Sequence, residues 1–334
     1  MNTNRSFADH LLCRFSPFAA VIAVFATLLY IPSSGLCLPP SGSAQEVSQA
    51  ATVTTSFDIP DRVEFAGMTI SLSRYDMRER YDREQLAFVH NPASTTLIIK
   101  RANVYFPIIE PILKEYGIPN DFKYLAVVES HFNPRAVSSA KAAGIWQFMP
   151  ETGKQYDLEV TDSVDERYHV IKSTRAACRY LQDAYQIFGN WICAAASYNT
   201  GMNRITREQQ SQLTQNCFDL LLFDETSRYI FRILAIKEIL RQPQKYGFYI
   251  KRQHLYPAIG FYEIAVTESV SSWVEFARNF GITYAQLKDF NVWIRGNKLE
   301  NKTNKVYEVR IPRREDLLFN PRRIKVYQEN WVID

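Results

Sequence analysis

Between positions 117 and 152 the chain runs GIPNDFKYLAVVESHFNPRAVSSAKAAGIWQFMPET. Gly117 and Pro119 stop whatever helix precedes them, and Asn120 or Asp121 can cap a new one. Tyr124, Leu125, Ala126, Val127 and Val128 are apolar on every side of that helix, which predicts a buried one. Its C-terminal end carries Glu129, followed by Ser130 and His131-Phe132-Asn133-Pro134. An ionised carboxylate is costly to desolvate, so such a group is paired, solvated through a cleft, or held protonated. The third state suits a general acid working near neutral pH, provided apolar neighbours raise its pKa. The plainer reading is that Glu129 marks where a buried helix meets water.

The residues downstream change that balance. Ser138 lies nine positions after Glu129, Gly144 fifteen and Gln147 eighteen, the last two within Gly-Ile-Trp-Gln-Phe-Met-Pro. Further on, Ala-Ala-Ser-Tyr-Asn-Thr-Gly places Tyr198 and Asn199 after another apolar helix. In combination these motifs resemble those of the lytic murein transglycosylases with a goose-type-lysozyme-like catalytic domain, in particular the D-type membrane-bound branch. That family carries Glu-Ser, Gly-Leu-(Trp/Met)-Gln-x-Met-Pro and Ala-Tyr-Asn in this order. Ile145 stands for the usual Leu and Ser197 for the Ala before Tyr-Asn; both departures leave the functional positions in place. The resemblance covers about residues 100–240. It implies a mainly α, lysozyme-like catalytic domain over 96–250.

Composition excludes other classes. The chain has 334 residues, 46% of them apolar, and a formal net charge of +4. No basic cluster interleaves with aromatics, so a nucleic-acid partner is not expected. No HExxH, GxSxG, Walker or GxGxxG pattern occurs, and neither a metal nor a cofactor is expected. Residues 1–44 read as an export signal. Arg5 and Arg14 precede an apolar run over 18–31 that is too short to span a membrane, and Gly42-Ser43-Ala44 offers a cleavage site. A lipoprotein signal ending at Cys37 competes, although Leu36 before it is larger than that peptidase prefers, and an uncleaved anchor is a third reading. The exported protein is then expected in the periplasm or cell envelope. Cleavage leaves Cys178, Cys193 and Cys217. Three cannot all pair, none has metal-ligand spacing, and Cys178 and Cys193 sit in apolar helical patterns that predict small core residues rather than disulfide partners.

Residues 45–95 read as a Ser/Thr-rich tether and an arm packing on the catalytic domain; the alternating charges over 74–84 predict a solvated helix or loop. Val104, Ile108, Ile109, Ile112 and Leu113 mark one face of an amphipathic helix. The acidic run 162–166 supplies caps for a helix reaching Phe188, where Gly189 ends it. A short buried helix from Trp191 delivers Tyr198 and Asn199. Glu225-Thr226-Ser227-Arg228-Tyr229 opens the last catalytic-domain helix. The resemblance assigns Glu225 and Tyr229 to closing the glycan cleft, while a capped surface helix with one buried tyrosine is the alternative. Strand, helix, helix, strand over 258–314 resembles a LysM glycan-binding module, a small α+β unit. It has Thr267-Glu268-Ser269-Val270 where Gly-Asp-Thr is usual, and a long segment before its last strand. Residues 315–334 read as a tail. Deletion from about 260 onward is thus expected to weaken wall binding and spare turnover of short glycans.

Two carboxylates usually flank a glycosidic bond undergoing hydrolysis, but families whose substrate supplies the nucleophile need only one. The next acid after Glu129 is Glu151, which a helix dipole explains. The resemblance therefore implies a single Glu129 acid/base on peptidoglycan glycan strands. Ser138, Gln147, Tyr198 and Asn199 would hold the sugar, and a 1,6-anhydro end would form. A hydrolase on the same fold and a non-catalytic wall-binding protein are the competing functions.

Overall fold

In the computed structural model residues 56–334 are described; the expected leader and most of the tether before residue 56 lie outside them. The described chain is mainly helical, with two small antiparallel sheets of two strands each.

The arm begins as a hairpin, β1 (Arg62–Phe65) and β2 (Met68–Ser71), which turns through Ala66 and Gly67 at positive φ. Helix α1 (Tyr75–Val89) follows. Its charge alternation predicts solvation, yet Met77, Tyr81, Glu84, Gln85 and Phe88 recur at three- to four-residue spacing and are buried. They face the helix over 224–241, so the alternating charges hide an internal stripe with one carboxylate in it.

Helix α2 (Pro92–Glu115) starts with Pro92 at its first position and the Asn91 side chain accepting from the Ser94 N–H. Its buried face holds Ile98, Ile99, Ala102, Phe106, Ile109 and Leu113, all fully inaccessible. Helix α3 (Lys123–Ser130) follows a one-turn 3-10 segment, Asn120–Phe122. The cap expected from Asn120 or Asp121 is absent. Asn120 donates to Glu110 instead, and Asp121 accepts from the Ala66 N–H and from Lys237. Apolar burial on every face of α3 holds: Leu125, Ala126 and Val127 have no exposed surface.

Helix α4 (Pro150–Gln155) is a short surface helix carrying Glu151 in its first turn. Helix α5 (Val170–Phe188) begins later than the acidic run suggests, capped by His169. Asp165 instead pairs with Arg167, and Glu166 binds Lys172 and Lys305. A buried guanidinium there needs a carboxylate more than a helix start does. Helix α6 (Trp191–Thr200) is capped by Asn190 and followed by α7 (Met202–Ser211) and α8 (Asp224–Arg241). Cys193 is not a free core thiol: it forms a disulfide with Cys217, Cα–Cα 5.5 Å, while Cys178 stays buried and free. The chain reverses after α7 and lays the 212–223 loop back on α6, a return that helical periodicity at Cys193 does not report.

The C-terminal module pairs β3 (Phe261–Val266) with β4 (Tyr307–Pro312), Phe261 opposite Pro312 and Val266 opposite Tyr307. Between them lie α9 (Trp273–Asn279) and α10 (Tyr284–Phe290), the latter opened by a Thr283–Gln286 capping box. Trp273, Leu287, Ile294 and Val309 form its core. The long segment before β4 is pinned by buried Asn301, which donates to the Thr267 and Lys305 carbonyls.

Residues 315–334 do not stand apart as a tail. Trp331 is fully buried and donates its indole N–H to the Leu240 carbonyl at 2.6 Å, at the end of α8. Tyr327 packs on Phe106 and hydrogen-bonds Glu110, which accepts at 2.6 Å from Lys123, the first residue of α3. A deletion from about 260 would strip these contacts from the catalytic core, so turnover of short glycans is expected to fall together with wall binding.

Candidate active site

Helix α3 carries Glu129 to the edge of the core. There the chain leaves helical geometry: His131 and Phe132 sit at φ 50° and 53°. Left-handed non-glycine residues cost about 1–3 kcal/mol each and persist where packing over-determines them. Phe132 is fully buried against Phe106 and Tyr105, which fixes this turn. The Ser130 hydroxyl donates to the Ala126 and Ile145 carbonyls, tying the end of α3 to the 144–148 loop.

Glu129 is half-buried, and its Oε1 accepts from the Tyr229 hydroxyl at 2.5 Å. Burial pushes its carboxyl up to about 7 against the pull of the Tyr229 hydrogen bond; Glu225 raises it further and Arg232 lowers it. Burial beside this acid also holds the Tyr229 phenol well above its ordinary range, so Tyr229 is a donor here. The result is a carboxyl that exchanges a proton near neutrality.

The 144–148 loop is built on close approaches. Gly144 has φ 78°, and a Cβ there would lie 2.0 Å from the Arg167 carbonyl oxygen. Gln147 is also left-handed, at φ 48°, and its Nε2 donates to the Gly144 and Ala136 carbonyls at 2.7 and 3.3 Å. Arg167 donates to the Lys141 and Phe148 carbonyls at 2.7 and 2.9 Å while pairing with Asp165. Trp146 is buried, its indole donating to Thr174. Gly144→Ala is therefore expected to cost about 2–4 kcal/mol and to displace Gln147. Thermal unfolding checks it; a loss under about 0.5 kcal/mol would mean the loop relaxes freely.

Tyr198 and Asn199, at the end of α6, line a cavity of 270 Å³ with Gln147, Phe148 and Met149. The Tyr198 hydroxyl donates to the Trp146 carbonyl at 2.9 Å, so this tyrosine braces the loop. Asn199 accepts from Thr226 at 2.8 Å through Oδ1, which leaves its amide protons for a ligand. Glu225 is exposed in the first turn of α8, within the field of Glu129. Ser138 is exposed in a turn where its hydroxyl accepts from the Ala142 N–H at 3.0 Å. The structure thus joins Glu129 to Tyr229 directly and groups Gln147, Tyr198 and Asn199 around one cavity. Ser138 makes no hydrogen bond to these residues among those described.

Two residues escape the motif reading. Arg167 frames the loop, and Arg232 places a positive charge near Glu129. The only sequence trace of the second is its spacing, three residues after Tyr229 on α8. A larger apolar cavity, 370 Å³ between α2 and the C-terminal module, is lined by none of the candidate residues. Among the described residues no group of three or more His, Cys, Asp or Glu could hold a metal ion, and no helix is long and apolar enough to cross a membrane.

Residues 106–219 match the transglycosylase SLT domain, and residues 262–315 match the soluble lytic transglycosylase C-terminal LysM-like domain. Over 226 residues the chain is 29% identical to membrane-bound lytic murein transglycosylase D of Escherichia coli strain K12, covering 66% of this chain and 49% of that one. A 53-residue stretch is 43% identical to membrane-bound lytic murein transglycosylase C of Haemophilus ducreyi, covering 16% of this chain and 14% of that one. The crystal structure of the 70 kDa soluble lytic transglycosylase of Escherichia coli aligns over 41% of this chain and 24% of its own, with TM-score 0.36 and 26% identity. The chain thus spans about half the length of the curated relative matched over its largest part. By these matches the chain carries a transglycosylase SLT domain followed by a LysM-like C-terminal domain of the soluble lytic transglycosylase type.

Proposed function

We propose that this protein is a lytic transglycosylase that cleaves the MurNAc-β-1,4-GlcNAc bond of peptidoglycan with Glu129 as its single acid/base. The observation that carries the proposal is the half-buried Glu129 carboxyl, raised to about 7 and held by the Tyr229 hydroxyl. In the first step the 2-acetamido oxygen of MurNAc bonds to its own anomeric carbon. The glycosidic C–O bond breaks, and Glu129 gives its proton to the departing oxygen. In the second, the C6 hydroxyl oxygen of the same sugar bonds to the anomeric carbon and the acetamido oxygen leaves. The Glu129 carboxylate takes the hydroxyl proton and is restored. A 1,6-anhydro ring results and no water is consumed. On this reading Gln147 and Asn199 would hold the acetamido group, Tyr198 and Tyr229 would fix the loop and the acid, and Ser138 and Glu225 would border the glycan. The SLT and LysM-like matches support peptidoglycan as substrate, and the membrane-bound relatives support the cell envelope as location.

One observation favours a second reading. Glu225 is a further carboxylate whose charge reaches Glu129. In a lysozyme-like hydrolase it would activate a water across the bond. Its exposure in the first turn of α8, where the helix dipole favours an anion, explains it without that role. Mass spectrometry of fragments released from isolated sacculi separates the two: each transglycosylase product is one water lighter than its hydrolase counterpart. Fragments at the heavier mass would overturn the proposal.

A further inference from the structure

Helix α1 lies outside the region matched to the transglycosylase domain, yet it sends one carboxylate into the core beside the site. Glu84 is 1% exposed. Its Oε1 accepts from Arg228 Nε at 2.5 Å and its Oε2 from Arg232 Nε at 3.0 Å. Arg228 and Arg232 are four residues apart on α8, so both reach the same partner on α1. Tyr229, which holds Glu129, sits between them, three residues before Arg232. The Arg232 charge bears on both Glu129 and His131.

A carboxyl that must stay protonated is thus flanked by a guanidinium, the partner that most favours its ionisation. Resting on the reading of Glu129 as the acid, we propose that Glu84 is a positioning residue: it binds Arg228 and Arg232 to α1 and so keeps the Arg232 guanidinium off the Glu129 carboxyl. The groups facing Glu129 are Tyr229, Glu225 and Arg232 from α8 and Tyr198 from α6. His131, on the turn after α3, is held below its ordinary range by burial and by the Arg101 and Arg232 charges. Tyr198 and Tyr229 are raised by burial and stay neutral. Arg232 is therefore the one cation in this set, and Glu84 the anion that occupies it. Glu225 opposes Arg232 from the exposed end of α8, where solvent screens it.

Glu84→Gln keeps the size and an acceptor oxygen while removing the charge. It leaves two arginines with no carboxylate in the core, and Arg232 turns toward Glu129. The alkaline limb of kcat/KM on soluble glycan strands then moves down by about one pH unit, a roughly tenfold loss above the limb. Arg232→Gln moves the limb the other way. The double variant Glu84→Gln/Arg232→Gln matches Arg232→Gln alone to within about 0.3 unit, because Glu84 acts through Arg232. A packing role alone would change amplitude and melting temperature without moving the limb or being rescued by the second substitution. Titration of the Glu129 side-chain carboxyl by carbon NMR reads the same group without turnover. A folded Glu84→Gln variant whose carboxyl midpoint is unmoved overturns the proposal. Should Glu84→Gln not fold, Arg232→Gln decides alone, and an unmoved midpoint overturns it equally. A wild-type enzyme without an alkaline limb would reject Glu129 as the acid, and the NMR midpoints of the variants would still decide the role of Glu84.

Discussion

Glu129→Gln is expected to lower the release of soluble fragments from sacculi by at least ~10²–10⁴-fold, the usual contribution of acid–base catalysis. Gln keeps the side-chain volume and an oxygen for the Tyr229 hydroxyl, but it cannot give up a proton. The substitution also has a stability signature. The Glu129 carboxyl is raised from an ordinary 4.5 to about 7 in the folded protein. The folded state therefore binds the proton more tightly than the unfolded state, and stability falls as pH rises from about 4.5 through about 7. At 1.36 kcal/mol per unit this amounts to at most about 3 kcal/mol, less whatever solvent reaching the half-buried group screens. Glu129→Gln removes that penalty, so the variant should be inactive yet more stable than wild type at pH 8 and no more stable at pH 4. Activity within about tenfold of wild type would place the acid elsewhere. Equal stability at pH 8 would mean Glu129 ionises freely in the fold.

Trp331→Ala should destabilise the catalytic domain by about 3–5 kcal/mol, although residue 331 lies beyond both matched regions. The indole is fully buried, hydrogen-bonded to the end of α8, and within 6.0 Å of the Phe106 ring on α2. Its removal leaves a cavity between the helix that carries Tyr229 and the helix that supports α3. The neighbouring Tyr327 contact to Glu110 and Lys123 loosens with it. A fall in Tm on the order of 10 °C and a matching loss of turnover are expected. A loss under 1 kcal/mol would show that the tail is only draped on the surface.

These two outcomes differ in how far the sequence could reach them. Helix α3 was legible because five consecutive apolar residues report burial locally, and Glu129 because it interrupts them. Strands β3 and β4 and helices α9 and α10 follow from alternation and helical spacing within a few residues. What was not legible is set by contacts across long separations. Glu84 reads as one charge among many over 74–84 until α8 brings Arg228 and Arg232 to it, 144 and 148 residues away. Arg167 looks like one of several surface bases until Asp165 and two loop carbonyls surround it. Cys217 gives no local sign that it meets Cys193. Trp331 sits in a polar, charged tail, and only its return to α8 makes it core. Among the candidate site residues, Tyr198 shows the same limit. The motif marks the position, while the bond to the Trp146 carbonyl, which spends its hydroxyl on the loop, appears only in three dimensions.

Single-acid transglycosylation makes a demand on the acceptor. The C6 hydroxyl belongs to the sugar under attack, and well-oriented intramolecular groups reach effective molarities of ~10⁵ M or more, above that of bulk water. In the proposed mechanism Glu129 serves one acceptor per turnover, so ring closure and water attack exclude each other at each cleaved bond. Digestion of sacculi in heavy-oxygen water, followed by mass spectrometry of the new muramic-acid ends, tests this directly. The account predicts unlabelled anhydro ends throughout. Heavy oxygen at most new ends would contradict it and assign the site to hydrolysis.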